Sequence, residues 1–376
     1  MYLAISYFVL LLIVIYIISL VIYIVGNFIP SSNNTIHRLD PISVIIAVKN
    51  GEKSLPHLLS DLKNQDYQGL TEYIIVDDGS TDNTEKIIKK FQSIDDKFRY
   101  ISSEDGNEKL FFKKKALDAG IKNAHFDILL FTDVDCRLKK SWVKSMAQYF
   151  KKDIDYVIGF SEVPYLNNMV AWFQRIDFLM LLTAARATCN LKIPFASTGQ
   201  NQAYRKSCYE KIGFLKLENS IQGDDTLFLQ LCVQNNMHIV FNDDKKSFVS
   251  SRIEKKFLSF IKQRIRWSGD AKLMWYYNKP FFIVILSTFL INVLMLMLAY
   301  ETIFLTANYI NHLQIILLIK FILELGIYLT GSFQFNSTFN ISLFLYWFIL
   351  EIPYVLLMGI GSMFVKYISW RGGKKV

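Results

Sequence analysis

The sequence is poor in the side chains that build thiolate, dithiol or imidazole sites. Its 376 residues hold four cysteines and five histidines. Cys136, Cys189, Cys208 and Cys232 are far apart and form no C-x-x-C pair, which argues against a zinc site or redox motif and predicts free thiols in a reducing compartment. His57, His125 and His238 are isolated, so none is assigned as ligand or base. There is no G-x-G-x-x-G, which counts against a nicotinamide enzyme, and no internal repeat or low-complexity tract. Charge is missing altogether from Tyr2 to Ile29, a run longer than the roughly 20 residues that cross a bilayer as a helix. The same stretch lacks the basic n-region and the small-x-small cleavage site of a signal peptide. Basic residues begin afterwards, with Arg38 and Lys49, so the positive-inside rule puts the N-terminus outside and the next domain in the cytoplasm.

What is present fits one soluble domain joined to membrane segments: 52% of residues are hydrophobic, 15% aromatic, and the net charge is +9. That charge suits anionic lipid or a phosphorylated substrate, and no nucleic-acid role is predicted beside so much apolar sequence. After a polar linker from Pro30 to Pro41, Ser43–Val48 and Tyr73–Val76 read as strands, ending at Asn50-Gly51 and at Asp77-Asp78-Gly79-Ser80. Helical spacing follows each, over Ser54–Asn64 and Thr81–Phe91, the second with Ser80, Thr81 or Asp82 as N-cap. An edge strand at Tyr100-Ile101, a helix over Lys113–Asn123 and a strand at Ile128–Phe131 complete a doubly wound α/β unit.

The last strand runs into DILLFTDVDCR, where Asp133 and Asp135 stand one residue apart. Strand alternation predicts both on one side, as a divalent cation requires, and ligands of such sheets bind beyond the carboxyl ends of the strands. Asp77, Asp78, Asp133 and Asp135 are therefore expected at one crevice, where four carboxylates repel unless cations or donors compensate them. A solvated turn is the plainer explanation of one D-x-D.

In order, PISVIIAVKNGE, VDDGSTDNT, KKKALDAG and DVD resemble the nucleotide-sugar half of a family 2 glycosyltransferase of the GT-A fold, a Rossmann-like mixed sheet with helices on both faces. The resemblance implies that Asp77 or Asp78 bonds the uracil of a UDP-sugar. It implies that Lys113, with Lys114 and Lys115 as alternatives, approaches the nucleotide, and that Asp133 and Asp135 hold Mg or Mn on the diphosphate. Ala116-Leu117-Asp118 departs from the family's usual Ala-Leu-Asn.

TGQNQAYR, at Thr198–Arg205, followed by Ile212-Gly213-Phe214, resembles the family's acceptor-side segment. Gly223-Asp224-Asp225 then precedes the helix-like TLFLQLCVQ. Acids at a helix start are commonly caps. In the family the second acid of such a pair is the general base, which makes Asp225 the candidate to take the proton of an acceptor hydroxyl. Gln263-Arg264-Ile265-Arg266-Trp267 matches the Q-x-x-R-W signature of membrane-embedded members, which include ceramide glucosyltransferases and the synthases of cellulose, chitin and hyaluronan. Gln263, Arg266 and Trp267 are read as catalytic, Arg266 gripping diphosphate oxygens and Trp267 offering a flat face to sugar, with Arg264 among the donor-binding residues. The surrounding segment is also basic, aromatic and amphipathic, suited to an anionic membrane surface, and Lys245, Lys246, Arg252, Lys255 and Lys256 are assigned to lipid head groups. Met169–Ala187 is expected to pack on the domain or the bilayer surface.

Phe281–Tyr300 and Ile341–Val365 are transmembrane candidates, and Leu313–Leu329 is a weaker one carrying Lys320 and Glu324 four residues apart on one face. Three crossings would end the chain outside, whereas the basic tail Lys366–Lys375 marks an inside end, so three or four helices in total are expected. The expected layout is an anchor at 1–29, a cytoplasmic GT-A domain at 41–245, an interfacial segment at 246–279 and membrane helices at 280–366, in a bacterial inner membrane. The expected activity is inverting, metal-dependent transfer of a hexose from a UDP-sugar to a lipid or lipid-linked acceptor. The alternatives are a processive polysaccharide synthase, a polyprenyl-phosphate sugar synthase and, in another class, a non-catalytic scaffold. Oligomeric state is not legible.

Overall fold

The computed structural model describes residues 2–31, 39–217, 220, 223–304 and 310–365. Most of the Pro30–Pro41 linker and the tail Lys366–Lys375, whose charge bears on the side of the C-terminus, lie outside the described residues. In chain order the elements are α1 (Tyr2–Phe28), β1 (Ile42–Val48), α2 (Leu55–Lys63), β2 (Thr71–Asp77), α3 (Thr84–Gln92) and β3 (Phe98–Ser102). Next come α4 (Phe112–Lys122), β4 (Ile128–Phe131), β5 (Arg137–Leu138), α5 (Trp142–Ala147), β6 (Tyr156–Gly159), β7 (Ser161–Glu162) and α6 (Met169–Asn190). They are followed by β8 (Gln202–Arg205), α7 (Lys206–Ile212), α8 (Thr226–Gln234), β9 (Ile239–Asn242) and β10 (Val249–Ser250). The chain continues as α9 (Phe257–Ser268), α10 (Met274–Tyr277), α11 (Lys279–Phe304), α12 (Ile310–Phe335) and α13 (Ile341–Ser362).

Two compact units result. One comprises residues 30–164 and 189–253, and the other residues 1–29, 165–188 and 254–376. The first is built on a seven-stranded sheet of order β3-β2-β1-β4-β8-β6-β9, with a small sheet β5-β10-β7 beside it. β3, β2, β1 and β4 run parallel, β8 is antiparallel to both of its neighbours, and β6 and β9 are parallel. Alternation assigns the faces. Ile42, Val44 and Ile46 share a core with Leu55, Leu58, Leu59 and Leu62 of α2, all fully buried. Each such side chain contributes about 2 kcal/mol by leaving water. The opposite face takes α4, which approaches so closely that a Cβ on Gly120 would stand 2.5 Å from the Ile45 side chain. Helices thus cover both faces, as a mostly parallel sheet requires.

Two local expectations are corrected. α3 starts at Thr84 with Asn83 at the N-cap position, later than Ser80, Thr81 or Asp82, because the Asp82 carboxylate turns to the Thr84 amide at 3.0 Å and Asn50 accepts from the Thr81 amide at 2.8 Å. These side-chain bonds hold residues 80–83 as a loop. The strand β4 stops at Phe131, so Asp133 and Asp135 sit on a turn closed by the Cys136 amide on the Asp133 carbonyl (3.1 Å), and strand alternation does not orient them.

The second unit is helical. Four of its helices are long and apolar enough to cross a membrane: residues 7–28, 279–304, 313–335 and 341–362. The chain is accordingly a membrane protein. The weaker segment is a full-length helix, α12, and its charges are explained by pairing. Lys320 bonds Glu324 on its own helix and Glu351 of α13 at 2.7 Å, and Tyr16 of α1 donates to Glu324 at 2.7 Å. Three helices therefore share one buried ionic cluster, the arrangement that makes charge tolerable away from water. Asn27 of α1 ties in α6, donating to the Thr183 carbonyl (2.9 Å) and accepting from Arg186 (3.0 Å), so the Met169–Ala187 stretch packs with the apolar helices.

Candidate active site

Because β1, β2 and β4 are parallel, their carboxyl ends lie along one edge of the sheet, and β8 returns antiparallel with Gln202 opposite Phe131. The loop before β8, residues 198–201, therefore enters at the edge where β4 leaves. Two buried amides fix that loop. Asn201 donates to the carbonyls of Phe160 and Ser247 (2.8 Å each) and accepts from the Trp142 indole (3.0 Å). Gln202 donates to the Asp224 carbonyl at 3.2 Å, which moors the acidic pair to the sheet.

Lys113 joins the two halves. Its ammonium lies 2.9 Å from Asp133 Oδ1 and 2.8 Å from Asp224 Oδ2. Burial pushes this amine down, but the two carboxylates outweigh it and the net shift is upward. Of the three consecutive lysines only Lys113 meets these acids in the described contacts: Lys114 is turned to the Leu217 carbonyl and Ser220, and Lys115 to Glu104 at 2.7 Å. Asp225 heads α8, its Oδ1 accepting from the Thr226 amide and its Oδ2 from the Gly199 amide at 3.1 Å. Capping is therefore real here, and it coexists with a perturbed acid. Burial first, then Asp224, pushes the Asp225 carboxyl up to about 6, against the pull of Lys113. A carboxylate with that value is poised to accept a proton near neutrality.

Asp77 and Asp78 close β2 at the same edge. Asp77 accepts from the Ser80 amide at 3.0 Å across a turn whose Gly79 has φ +65°. Asp78 is raised by burial, with Lys49 at 3.7 Å opposing the shift. Asp135 has Arg252 at 3.9 Å. Among the described residues no three His, Cys, Asp or Glu side chains form a metal-holding group, so Asp133 and Asp135 offer two hard oxygen ligands with side chains 30% and 16% exposed. Asp118, where the family has Asn, accepts from the Tyr209 hydroxyl (2.5 Å) and pairs with Lys122 (2.8 Å), a structural use of the extra charge.

The Gln263–Trp267 motif lies on α9 in the helical unit. Arg264 is 4% exposed, pairs with Asp177 of α6 at 3.1 Å and lies over Trp267, 4.2 Å from its ring centroid, with Phe260 and Phe178 completing the cage. Gln263, Arg266 and Trp267 are half-buried. The sequence reading missed Asp224 as partner of Lys113, Asn201 as the hub of its loop and Asp177 as partner of Arg264. An acid-acid dipeptide offered a signal for the first; the others depend on neighbours over 40 residues away.

A sheet with an acid-lined carboxyl edge, and an acidic helix start joined to it by a lysine, is the arrangement that the resemblance to a GT-A glycosyltransferase implies. Residues 43–213 match the family model described as glycosyl transferase family 2. A poly-beta-1,6-N-acetyl-D-glucosamine synthase of Staphylococcus epidermidis is 22% identical over 237 residues, 61% of this chain and 54% of that protein. Glycosyltransferase GlyG of Streptococcus pneumoniae is 32% identical over 119 residues, 31% of this chain and 38% of that one. The chain thus spans about half the length, or less, of these curated relatives. A mannosyltransferase from Pyrobaculum calidifontis, solved with GDP-Man and Mn2+, superposes with a TM-score of 0.58 over 94% of this chain and 99% of its own, at 13% identity, a likeness of fold.

Proposed function

We propose that the protein is a membrane glycosyltransferase that moves a sugar from a nucleotide donor, a UDP-hexose, to a lipid or lipid-linked acceptor with inversion. The observation that carries this reading is the cluster in which Lys113 links Asp133 to Asp224 beside the raised carboxyl of Asp225. In this scheme Asp77 or Asp78 accepts a hydrogen bond from the uracil ring. Asp225 takes the proton of the acceptor hydroxyl as its oxygen bonds the anomeric carbon, while the bond from that carbon to the diphosphate breaks and UDP leaves. One displacement of this kind inverts the centre.

Asp133 and Asp135 fit a divalent cation: Mg2+ and Mn2+ take one or two carboxylates and complete their shell with phosphate oxygens and water. Bound there, the cation supplies positive charge against the departing diphosphate. That the mannosyltransferase of similar fold was solved with GDP-Man and Mn2+ supports a nucleotide-sugar donor and such an ion. Gln263, Arg264, Arg266 and Trp267 are proposed to serve the same reaction. The layout of 1–29, 41–245, 246–279 and 280–366, in a bacterial inner membrane with residues 41–245 on the cytoplasmic side, follows from the apolar segments and the placing of basic residues.

A processive polysaccharide synthase is the second reading, favoured by the name of the Staphylococcus epidermidis relative. The test is UDP release by detergent-purified protein with Mn2+ or Mg2+, across UDP-glucose, UDP-galactose, UDP-N-acetylglucosamine and UDP-glucuronate, with and without total lipid extract. Donor-specific, lipid-dependent release that Asp225→Asn loses supports single transfer. Lipid-independent release with long, heterogeneous product supports the synthase. UDP binding without release from any donor would revive the scaffold reading.

A further inference from the structure

We infer that Lys113 is an internal counter-cation that competes with the divalent metal for Asp133, so that metal access and donor binding are coupled through one lysine. The inference rests on the donor and metal reading proposed above. Three observations carry it. The ammonium contacts Asp133 Oδ1 at 2.9 Å, so an ion entering at that oxygen must displace it. It also contacts Asp224 Oδ2 at 2.8 Å, an anchor on a different loop that keeps it in the crevice once Asp133 is released. Finally, the backbone is bent to aim it: Phe112, directly before Lys113, has φ +54°, a left-handed conformation that a bulky side chain adopts only when its surroundings impose it. Opposite, the loop before β8 carries Gly199, where a Cβ would stand 2.9 Å from the ammonium and 3.2 Å from Asp224 Oδ2. Asp133, Asp224 and Gly199 thus crowd this ammonium.

Exchange follows from the charges. A diphosphate entering the crevice offers the ammonium a doubly anionic partner, and its move from Asp133 to phosphate frees the oxygen for the metal. Metal alone must pay for breaking an ion pair; metal with nucleotide need not. Each ligand therefore tightens the other, by the same factor in both directions.

The experiment is titration of the full-length, detergent-solubilised protein with Mn2+, following the free ion by electron paramagnetic resonance, with and without UDP. Wild type, Lys113→Met and Lys113→Gln are compared, the glutamine, one bond shorter but able to donate to a carboxylate, serving should the methionine variant not fold. Without UDP, both variants are expected to bind Mn2+ about tenfold tighter than wild type, and UDP to tighten Mn2+ binding more in wild type than in either variant. Lys49→Met removes a cation that pairs with Asp78 rather than Asp133, and is expected to change the affinity by less than about twofold. Unchanged affinity in both Lys113 variants, or an equal gain in Lys49→Met, overturns the inference while the metal reading stands. The metal reading itself falls, and the inference with it, if no Mn2+ binding sensitive to Asp135→Asn is found with or without UDP.

Discussion

Replacing Asp225 by Asn separates the two tasks its position gives it. As N-cap it accepts from Thr226 and Gly199; the asparagine oxygen keeps one of these bonds and its amide nitrogen cannot accept the other, which costs about 1 kcal/mol. Against that stands the charge. The carboxyl titrates near 6 in the fold and at 3.8 by its ordinary value. A raised acid is bound to its proton more tightly when folded, so stability falls as pH rises from about 3.8 to about 6 and is level above. The shift corresponds to roughly 2 kcal/mol at neutral pH after allowance for partial exposure, and the variant escapes it. Asp225→Asn is thus expected to unfold no earlier than wild type at pH 7, while turnover falls by a factor on the order of 10² to 10⁴ through loss of the base. In wild type, kcat/KM for UDP release should rise with pH through a limb near 6, absent in the variant. Undiminished turnover in the variant, or a limb at the ordinary carboxylate value, would refute the assignment.

Gly199→Ala puts a methyl group 2.9 Å from the Lys113 ammonium and 3.2 Å from Asp224, and displacement of either by about 1 Å should lower turnover about a hundredfold with little change in the melting temperature. Asn201→Ala removes the bonds to the Ser247 carbonyl and the Trp142 indole N–H in the interior, while the Phe160 carbonyl keeps the Val249 amide at 3.2 Å, and should destabilise by roughly 2 kcal/mol, read as a shift of the unfolding midpoint. Lys320→Met strands Glu324 and Glu351 together inside the helices and should cost about 3–5 kcal/mol in detergent; adding Glu351→Leu should restore much of it, and an unaltered melting curve for the single variant would deny the cluster any role.

The strands β1, β2 and β4, the helices between them and the four long apolar helices were legible in the sequence because each is encoded locally, by alternation, helical spacing or unbroken apolar length. Asp77, Asp78, Asp133 and Asp135 were legible as a group because parallel strands must end at a common edge. What could not be read was direction. Three adjacent lysines are equivalent as letters, and a strained φ at Phe112, together with carbonyls waiting at Leu217 and Ser220, sends Lys113 and Lys114 to different places. Arg264 was read with the donor-binding residues, and only the packing of α6 against α9 brings Asp177 to its guanidinium.

The sequence by itself determined which segments lie in apolar surroundings, which strands form the parallel half of the sheet and which acids lie at its edge, since these depend on patterns within about 20 residues. Tertiary structure alone decided that Lys113 joins Asp133 to Asp224, that Asp225 is both cap and raised acid, and that Lys320 meets a second glutamate on α13. Those outcomes are set by distances between residues far apart in the chain and by the loss of water around them, and neither is written in local spacing.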